Sequence, residues 1–549
     1  MSKNISYLTG RKGLEENLFE KMGQAAEAIG TPELSDLDSL RNEFLVGKST
    51  VYGATTFYDF LRPENKGKKV YICNGTACMT AGTQSKVKHT LRNHFSANEI
   101  GEMCCLGRCH ENAAFHLNGK NFSGHDLEDL PSILDSKAET REQWRVGAHG
   151  TAILTANPKS LDELYESMKK WFSTDPTSLL NEFKIASLRG RGGAGFPIGF
   201  KLEACRNESS EVKFIVCNAD EGDPGAFSDR YILEQRPYML LAGMMLAGYV
   251  TGANRGVVYI RGEYPESVLR IESAVKKLRN DAWLGQDIQG SGFSFEFKVI
   301  KAQGAYICGE ETALLSSIEG QRPEVRVRPP YPTQMGLFNM PTVVNNVETL
   351  ANLPFIADSG GQAYAAIGTD RSKGTKLVCL DGHFNQPGLV EVEMGTPLRT
   401  VIDELGRGFR KPIKAMHIGG PLGGLVPVSK IDELTIDFDS FSKAGFLLGH
   451  ASIVCIPEEY PLIEYLGHLF EFTAHESCGK CFPCRLGSTR GKEMIQKAKD
   501  GNYKMPKELF SDLLEALESG SLCALGGGLP LPVRNALLYF KEELGPYFE

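Results

Sequence analysis

Two groups of cysteines carry the clearest chemistry in this 549-residue chain, which contains 14 cysteines. The first group reads CNGTAC and then CCLGRC, and it supplies Cys73, Cys78, Cys109 and one of Cys104 and Cys105. Four thiolates are the ligand set of a [2Fe–2S] cluster. Zinc is the alternative, although zinc sites prefer two-residue gaps between paired cysteines. The spacing alone does not choose between Cys104 and Cys105.

The second group reads ESCGKCFPC and supplies Cys478, Cys481 and Cys484, with Cys523 in the later motif LCALG as a remote fourth candidate. Three closely spaced thiolates and one distant thiolate predict a [4Fe–4S] cluster. The interval carries leucines at helical spacing over residues 507–519. We therefore expect a helix that returns the chain to the cluster.

A glycine-rich loop, RGRGGAGFPIGFK at residues 189–201, lies between the cysteine groups. The preceding residues 179–187 have a helical pattern, which disfavours a standard Rossmann unit because that motif should follow a strand. Unshielded backbone N–H groups together with Arg189, Arg191 and Lys201 suit a phosphate or a flat ring. A flexible surface loop is the alternative interpretation.

Polar residues crowd the end of a predicted strand in CNADEGDPG, which contains Asn218, Asp220, Glu221 and Asp223. Alpha/beta proteins bind ligands at the carboxyl ends of their strands. The same composition is also typical of a simple turn.

Two further motifs offer groups for a nucleotide or a ring. In GAYICGEET, Glu310 and Glu311 would repel a phosphate and could bond ribose hydroxyls, which favours NAD(H) over NADP(H); first-turn glutamates of a helix are the alternative. In PTVVNNVETL, Asn345 and Asn346 can donate to a ring carbonyl and accept from a ring N–H.

The elements that must position these residues alternate between strands and helices over about 155–365, with strands expected at 214–216, 256–260 and 297–300. A formal charge of −8 argues against a nucleic-acid partner. The apolar run 238–250 is too short to span a membrane, so it predicts a buried helix and no direct membrane insertion. No targeting segment opens the sequence, and we expect a reducing, cytoplasmic location.

The motifs resemble two subunits of complex I and its relatives. CNGTAC with CLGRC is similar to the thioredoxin-like [2Fe–2S] subunit, and RGRGGAGFP, NADEGDPG, YICGEET, NNVET and ESCGKCFPC…LCALG are similar to the flavin-bearing NADH-oxidising subunit. The resemblance covers nearly the whole chain and implies a multidomain α/β fold. The expected units are an N-terminal helical segment (1–62), a thioredoxin-like [2Fe–2S] domain (63–140), an FMN- and NAD(H)-binding α/β domain (150–368), a β-grasp-like domain of the soluble-ligand-binding type, SLBB (369–458), and a helical [4Fe–4S] domain (459–549).

The resemblance also implies the cofactors FMN, a [2Fe–2S] cluster and a [4Fe–4S] cluster, with NAD(H) stacked on the flavin. It selects Cys105 over Cys104. The residues it implies for FMN are Gly190, Arg191, Gly192, Gly193, Lys201, Asn218, Asp220, Gly309, Glu310, Asn345 and Asn346. Those implied for NAD(H) are Phe196, Lys201, Asp223, Tyr306, Glu311 and, beside the adenine, Tyr331. No side chain is expected to act as an acid or base, because FMN carries the hydride transfer.

Fused pairs of this kind resemble the β (diaphorase) subunit of NAD-dependent formate dehydrogenases. We therefore expect a catalytic partner subunit that carries further iron–sulfur clusters. An NAD-linked hydrogenase or an electron-bifurcating transhydrogenase is the alternative host, and a non-catalytic electron-relay scaffold is the rival of another class. Two features depart from the family: Asp223 stands where a glutamate is usual, and LLGHASIVCIPE replaces a glycine-rich segment.

Overall fold

The computed structural model describes residues 14, 16–135, 142–501 and 503–549. Their strands form three sheets, and helices cover or connect these sheets. This arrangement agrees with the α/β multidomain class expected from the sequence.

The first sheet has the order β2-β1-β3-β4 and carries the first cysteine group. Its strands are β1 (Val70–Cys73), β2 (Ile100–Met103), β3 (Phe115–Leu117) and β4 (Lys120–Phe122). Strand β1 pairs parallel with β2 and antiparallel with β3. Buried Val70 and Ile72 hold β1 in the core, so Cys73 is fixed at the carboxyl end of a central strand.

The second sheet is parallel throughout, with the order β8-β7-β6-β9. Its strands are β6 (Phe214–Ala219), β7 (Arg255–Ile260), β8 (Glu296–Lys301) and β9 (Thr342–Asn346). The helix Pro237–Thr251 contributes to the core beside this sheet and is buried along most of its length, as its apolar sequence predicts. Because β6 and β9 pair in parallel register, Asn218 lies opposite Asn346 at the carboxyl edge.

The third sheet has six strands in the order β13-β12-β14-β10-β11-β5. They are β5 (Val146–His149), β10 (Thr375–Leu380), β11 (Gly388–Glu393), β12 (Ile413–Ile418), β13 (Gly424–Pro427) and β14 (Ser452–Pro457). Strand β5 comes from a segment before the second sheet and pairs parallel with β11. Since β12 and β14 are antiparallel, the turn after β12 lies beside the turn before β14.

The last part of the chain is helical and surrounds the second cysteine group, with the helices Leu462–Glu476, Ser488–Lys499, Lys507–Gly520, Ala524–Gly528, Pro530–Tyr539 and Lys541–Leu544. The earlier helices are Leu18–Ala26, Leu34–Phe44, Lys48–Thr55, Thr76–Thr80, Gln84–Leu91, Leu130–Leu134, Leu161–Ser173, Pro176–Ile185, Ile198–Asn207, Ser228–Gln235, Pro265–Asn280, Glu311–Ile318, Pro332–Met335, Val347–Ala351, Leu353–Ser359, Gly361–Ala365, Leu398–Thr400 and Phe438–Lys443. Among the described helices, none combines the length and apolar character needed to cross a membrane.

Candidate functional site

The first cysteine group converges on one buried point. Cys73, Cys78, Cys105 and Cys109 are each about 1% exposed, and the Sγ atoms of Cys105 and Cys109 lie 3.3 Å apart. A Cβ placed on Gly75 would lie 3.4 Å from Cys105 Sγ and 3.5 Å from Cys73 Sγ, so this glycine lies directly against the two thiols. Contacts with Cys105 and Cys78 raise the pKa of Cys73 well above its usual range. Four converging thiols fit a [2Fe–2S] cluster.

The two adjacent cysteines of this group have different environments. Cys105 faces Cys109, whereas Cys104 is only partly buried and its backbone carbonyl accepts a hydrogen bond from Arg261 Nη2 at 2.9 Å. The geometry therefore favours Cys105 as the ligand.

The second cysteine group lies at the surface of the helical domain. Cys478 and Cys484 are buried, while Cys481 and Cys523 are partly exposed. Burial raises the pKa of Cys484 to about 11 and that of Cys523 to about 12, and both thiols lie close enough to Cys478 to interact with it electrostatically. The helix Lys507–Gly520 brings Cys523 back, as the leucine pattern predicts. This donor set fits a [4Fe–4S] cluster near solvent.

The glycine loop forms an open main-chain cradle beside β9. A Cβ on Gly192 would lie 3.0 Å from Asn346 Cβ, and Gly193 has a φ of +115°, which favours glycine. The Arg191 guanidinium is buried: Nη2 donates to Tyr364 Oη at 3.1 Å, while Nε and Nη1 lack hydrogen-bond partners. The loop therefore offers backbone to a ligand and keeps its central arginine in the core.

Two polar atoms at the carboxyl edge of the parallel sheet are buried without partners. They are Asp220 Oδ2, just after β6, and Asn345 Nδ2, on β9. Burial raises the pKa of Asp220 well above its usual range. Asn218 holds the neighbouring backbone, because its Nδ2 donates to the Gly309 carbonyl at 2.7 Å. Unmatched buried donors and acceptors beside a glycine cradle fit a polar flat ring such as a flavin.

Two residues that the sequence assigned to the same ligand, Glu310 and Asn346, also serve as helix caps. Glu310 Oε2 accepts from the backbone N–H groups of residues 312 and 313. Asn346 Oδ1 accepts from the N–H groups of residues 348 and 349, and its Nδ2 donates to Asp229 Oδ2 at 2.6 Å. Asn345 Nδ2 has no hydrogen-bond partner, so the two asparagines are not equivalent.

Charged and aromatic groups border this cradle on its solvent side. Lys201 Nζ donates to Glu311 Oε2 at 2.9 Å, and Arg328 Nη1 donates to Glu311 Oε1 at 2.6 Å. The aromatic rings of Phe196 and Tyr331 are 52% and 56% exposed, which leaves them free to stack on a nucleotide.

Asp223 lies in a polar cluster that sequence reasoning found only in part. Tyr306 Oη donates to Asp223 Oδ1 at 2.6 Å, and His450 Nε2 lies 2.7 Å from Asp223 Oδ2. Burial raises the pKa of Asp223, but His450 and the Tyr306 hydroxyl outweigh it and hold the pKa below its usual range. The unusual LLGHASIVC segment was the available signal for His450.

Hydrogen bonds connect the Asp220–Asp223 segment and Tyr306 to both cysteine groups. Arg261 donates to the carbonyls of Cys104 and Glu221, and it is buried. On the other side, the Tyr306 N–H donates to Glu476 Oε2 at 2.8 Å, two residues before Cys478. The candidate ligand site therefore lies between the two sets of thiols.

Three sequence families match this chain. Residues 183–355 match the Nuo51 FMN-binding domain, residues 464–547 the NADH-ubiquinone oxidoreductase-F iron–sulfur binding region, and residues 35–138 the thioredoxin-like [2Fe–2S] ferredoxin.

Individual proteins are similar over most of their length. The NADP-reducing hydrogenase subunit HndC of Solidesulfovibrio fructosivorans is 38% identical, over 73% of this chain and 83% of that protein. An NADH-quinone oxidoreductase subunit of Rhizobium meliloti is 40% identical, over 68% of this chain and 89% of that protein. A chain of an NAD+-reducing [NiFe]-hydrogenase in the air-oxidised state superimposes with a TM-score of 0.84 at 27% identity, over 97% of this chain and 93% of that one.

Proposed function

This chain belongs to the family of flavin- and iron–sulfur-binding NADH-oxidising subunits found in the NADH-quinone oxidoreductases and their relatives, and from that premise we propose that it is the diaphorase subunit of an NAD-dependent formate dehydrogenase. It is the NADH dehydrogenase module of a larger oxidoreductase. Its cofactors are FMN, a [2Fe–2S] cluster and a [4Fe–4S] cluster, and its substrate is NAD(H). The observation that supports the assignment to electron transfer is the position of the candidate site between the two thiol sets.

We assign the flavin to the cradle at the carboxyl edge of the parallel sheet. The assigned residues are Gly190, Arg191, Gly192, Gly193, Lys201, Asn218, Asp220, Gly309, Glu310, Asn345 and Asn346. In this assignment Asp220 and Asn345 supply direct polar contacts, because they have unpartnered atoms. Asn346 and Glu310 shape the cradle as helix caps. When bound, FMN exchanges a hydride with nicotinamide and single electrons with iron–sulfur clusters.

NAD(H) would enter from the solvent side of the cradle. Phe196 and Tyr331 present exposed rings, and Lys201 and Glu311 form an ion pair at the entrance. Asp223 and Tyr306 would bond the ribose. The chain's task is to hold the two rings face to face and to exclude water, since no proton need be moved by a side chain during hydride transfer.

The two clusters would have different roles because they differ in burial. We assign Cys73, Cys78, Cys105 and Cys109 to the [2Fe–2S] cluster, which is enclosed and suited to storing one electron. We assign Cys478, Cys481, Cys484 and Cys523 to the [4Fe–4S] cluster, which lies near the surface.

An exposed apolar rim surrounds the second cysteine group. Phe482 is 68% exposed, Leu486 59% and Leu522 44%, and each is within two residues of a cluster cysteine. Exposed apolar clusters of this kind mark protein interaction sites. We propose that the catalytic subunit, with its own iron–sulfur clusters, docks on this rim and exchanges electrons with the [4Fe–4S] cluster. We also propose a reducing, cytoplasmic setting, because the thiolates assigned to the two clusters must stay reduced to bind iron.

The host complex is assigned from the form of the chain. The fusion of both units in one polypeptide, with the GGPLGG and HESCGKCFPCR motifs, resembles the β subunit of formate dehydrogenases. An NAD-linked hydrogenase is the second candidate, and the similarity to a chain of an NAD+-reducing [NiFe]-hydrogenase over nearly the full length favours it.

The test is NAD+ reduction by the assembly isolated without oxygen from native cells, driven by formate and, in parallel, by hydrogen. We expect activity with formate. Activity with hydrogen alone would assign the subunit to a hydrogenase. No activity with either donor would refute both proposed host complexes.

The docking rim is tested by Phe482→Asp, which should reduce formate-driven NAD+ reduction while NADH oxidation by ferricyanide persists. Leu269→Asp is the matched control, because Leu269 is 67% exposed on the helix Pro265–Asn280, outside the cluster domain. Equal loss in both variants would argue against the rim.

A further inference from the structure

Two tight turns of the six-stranded sheet contact the loop that follows β6. One turn contains Gly419 and Gly420, and the other contains Gly449 and His450. Gly420 has a φ of +86°, and a Cβ there would lie 2.6 Å from Asp223 Cγ and 2.9 Å from His450 Nε2. Glycine is therefore the residue that fits at position 420, and the two turns place the His450 imidazole in contact with the Asp223 carboxylate.

The hydrogen bonds of His450 indicate which ring nitrogen carries the proton when the imidazole is neutral. The backbone N–H of Ser452 donates to His450 Nδ1 at 3.3 Å, so the proton of the neutral ring belongs on Nε2, toward Asp223. Nε2 lies 2.7 Å from Asp223 Oδ2, but the N–H is not aligned with that oxygen. The contact is therefore mainly electrostatic, and its strength depends on the charge of His450.

Other buried ionisable groups surround this pair, and burial raises the carboxyl pKa of Asp220 as well as that of Glu221 toward the neutral range. Burial also raises the pKa of Tyr306. Burial lowers the pKa of His417 to about 4, and Arg261 remains a cation. Asp223 itself stays ionised, as described above. Because Asp223 stays ionised, the net charge of the pair depends on whether the His450 ring carries one proton or two, and histidine is the side chain that proteins most often use for such a change.

We propose that His450 determines the discrimination between NADH and NADPH through the charge that it places beside Asp223. The inference rests on the proposed position of Asp223 at the ribose of NAD(H). With neutral His450, the Asp223 carboxylate accepts from ribose hydroxyls and repels a 2′-phosphate. With protonated His450 the pair has no net charge, the repulsion falls, and NADPH is tolerated. Nucleotide preference therefore changes with pH.

The test compares kcat/KM for NADPH and NADH, with ferricyanide as acceptor, from pH 8 to 5.5. In the native protein the NADPH/NADH ratio should rise by about tenfold as the pH falls. His450→Gln retains an amide donor but cannot become charged, so its ratio should rise less than that of the native protein and keep only the contributions of the 2′-phosphate, which has a pKa near 6, and of the buried carboxyls of Asp220 and Glu221. His149→Gln, an exposed histidine on β5 of the same sheet, is the control and should behave as the native protein.

Dissociation constants of NADP+ and NAD+, measured by calorimetry, provide a readout independent of turnover and should show the same pH dependence. His450→Asn serves if the glutamine variant does not fold. Equal pH dependence in the native protein and the His450 variants would overturn the inference while leaving the proposed function intact. A native protein that binds neither nucleotide would refute the proposed function itself, and the inference with it.

Discussion

Asp220→Asn should weaken FMN binding and stabilise the flavin-free chain, which are opposite effects of one substitution. The carboxyl is buried, and its Oδ2 has no hydrogen-bond partner in the protein. Because burial raises the pKa of Asp220 and favours its neutral form, we use the value for a neutral hydrogen bond, about 0.5–1.5 kcal/mol, so its loss should raise the Kd for FMN by about 2- to 13-fold. Burying a neutral amide costs less than burying a carboxylate, so the flavin-free form should gain about 1 kcal/mol.

The stability effect has a defined pH dependence. The pKa of Asp220 in the folded chain is raised by burial, above the unfolded value of about 4. The stability linked to this carboxyl is therefore complete below about pH 4 and is lost as the pH rises through the folded pKa. Asparagine removes that loss, so the advantage of the variant should grow with increasing pH.

The assay combines FMN fluorescence titration with thermal unfolding of the flavin-free protein. Asp381→Asn is the matched control, because this buried carboxylate already accepts from the N–H groups of His383 at 3.0 Å and Cys455 at 2.8 Å. The control should lose about 1–3 kcal/mol of stability with little change in FMN affinity. Asp220 does not contact FMN if Asp220→Asn keeps the native FMN affinity, and its carboxyl is not an unpaired buried group if the substitution destabilises the flavin-free chain as the control does.

Three further outcomes follow from the same geometry. Cys105→Ser should abolish the electron paramagnetic resonance signal of the [2Fe–2S] cluster, whereas Cys104→Ser should preserve it; the reverse pattern would exchange their roles. Glu311→Gln should raise the NADPH/NADH ratio of kcat/KM by about two- to fivefold, because it removes the carboxylate that pairs with two cations; an unchanged ratio would remove Glu311 from nucleotide selection. Since burial lowers the pKa of His417 to about 4, below the unfolded value of about 6.5, the stability it contributes is present above pH 6.5 and declines on acidification, by about 2 kcal/mol at pH 5. In His417→Gln, the melting temperature should change less between pH 7 and 5 than in the native protein. An unchanged pH dependence would show that His417 is not the cause of the acid-linked loss of stability.

Local patterns were sufficient to predict much of the architecture. The strand expected at 214–216 lies within β6, and the helix expected at 507–519 is the helix Lys507–Gly520. These elements depend on hydrophobic period, which the sequence displays directly. The position of β5 in the third sheet depends on pairing with a strand far along the chain, and no local signal reports that pairing.

The site was predictable where chemistry depends on residue type and spacing, as in the cysteine groups. The different roles of the two asparagines, Asn346 as a helix cap and Asn345 with an unpartnered Nδ2, were not predicted. An asparagine before Val-Glu-Thr is nevertheless a typical helix start. The contacts of Arg261 and His450 join segments that are distant in sequence. Such contacts become visible only when the chain is folded.

Anaerobic titration of the purified chain with NADH shows whether bound FMN accepts electrons from NADH and passes them to the clusters. We expect about one bound FMN per chain and loss of its visible absorbance on addition of NADH, with electrons then detected at the iron–sulfur clusters by electron paramagnetic resonance. A chain that carries both clusters but no flavin, or whose flavin does not respond to NADH, would show that this chain does not oxidise NADH through FMN.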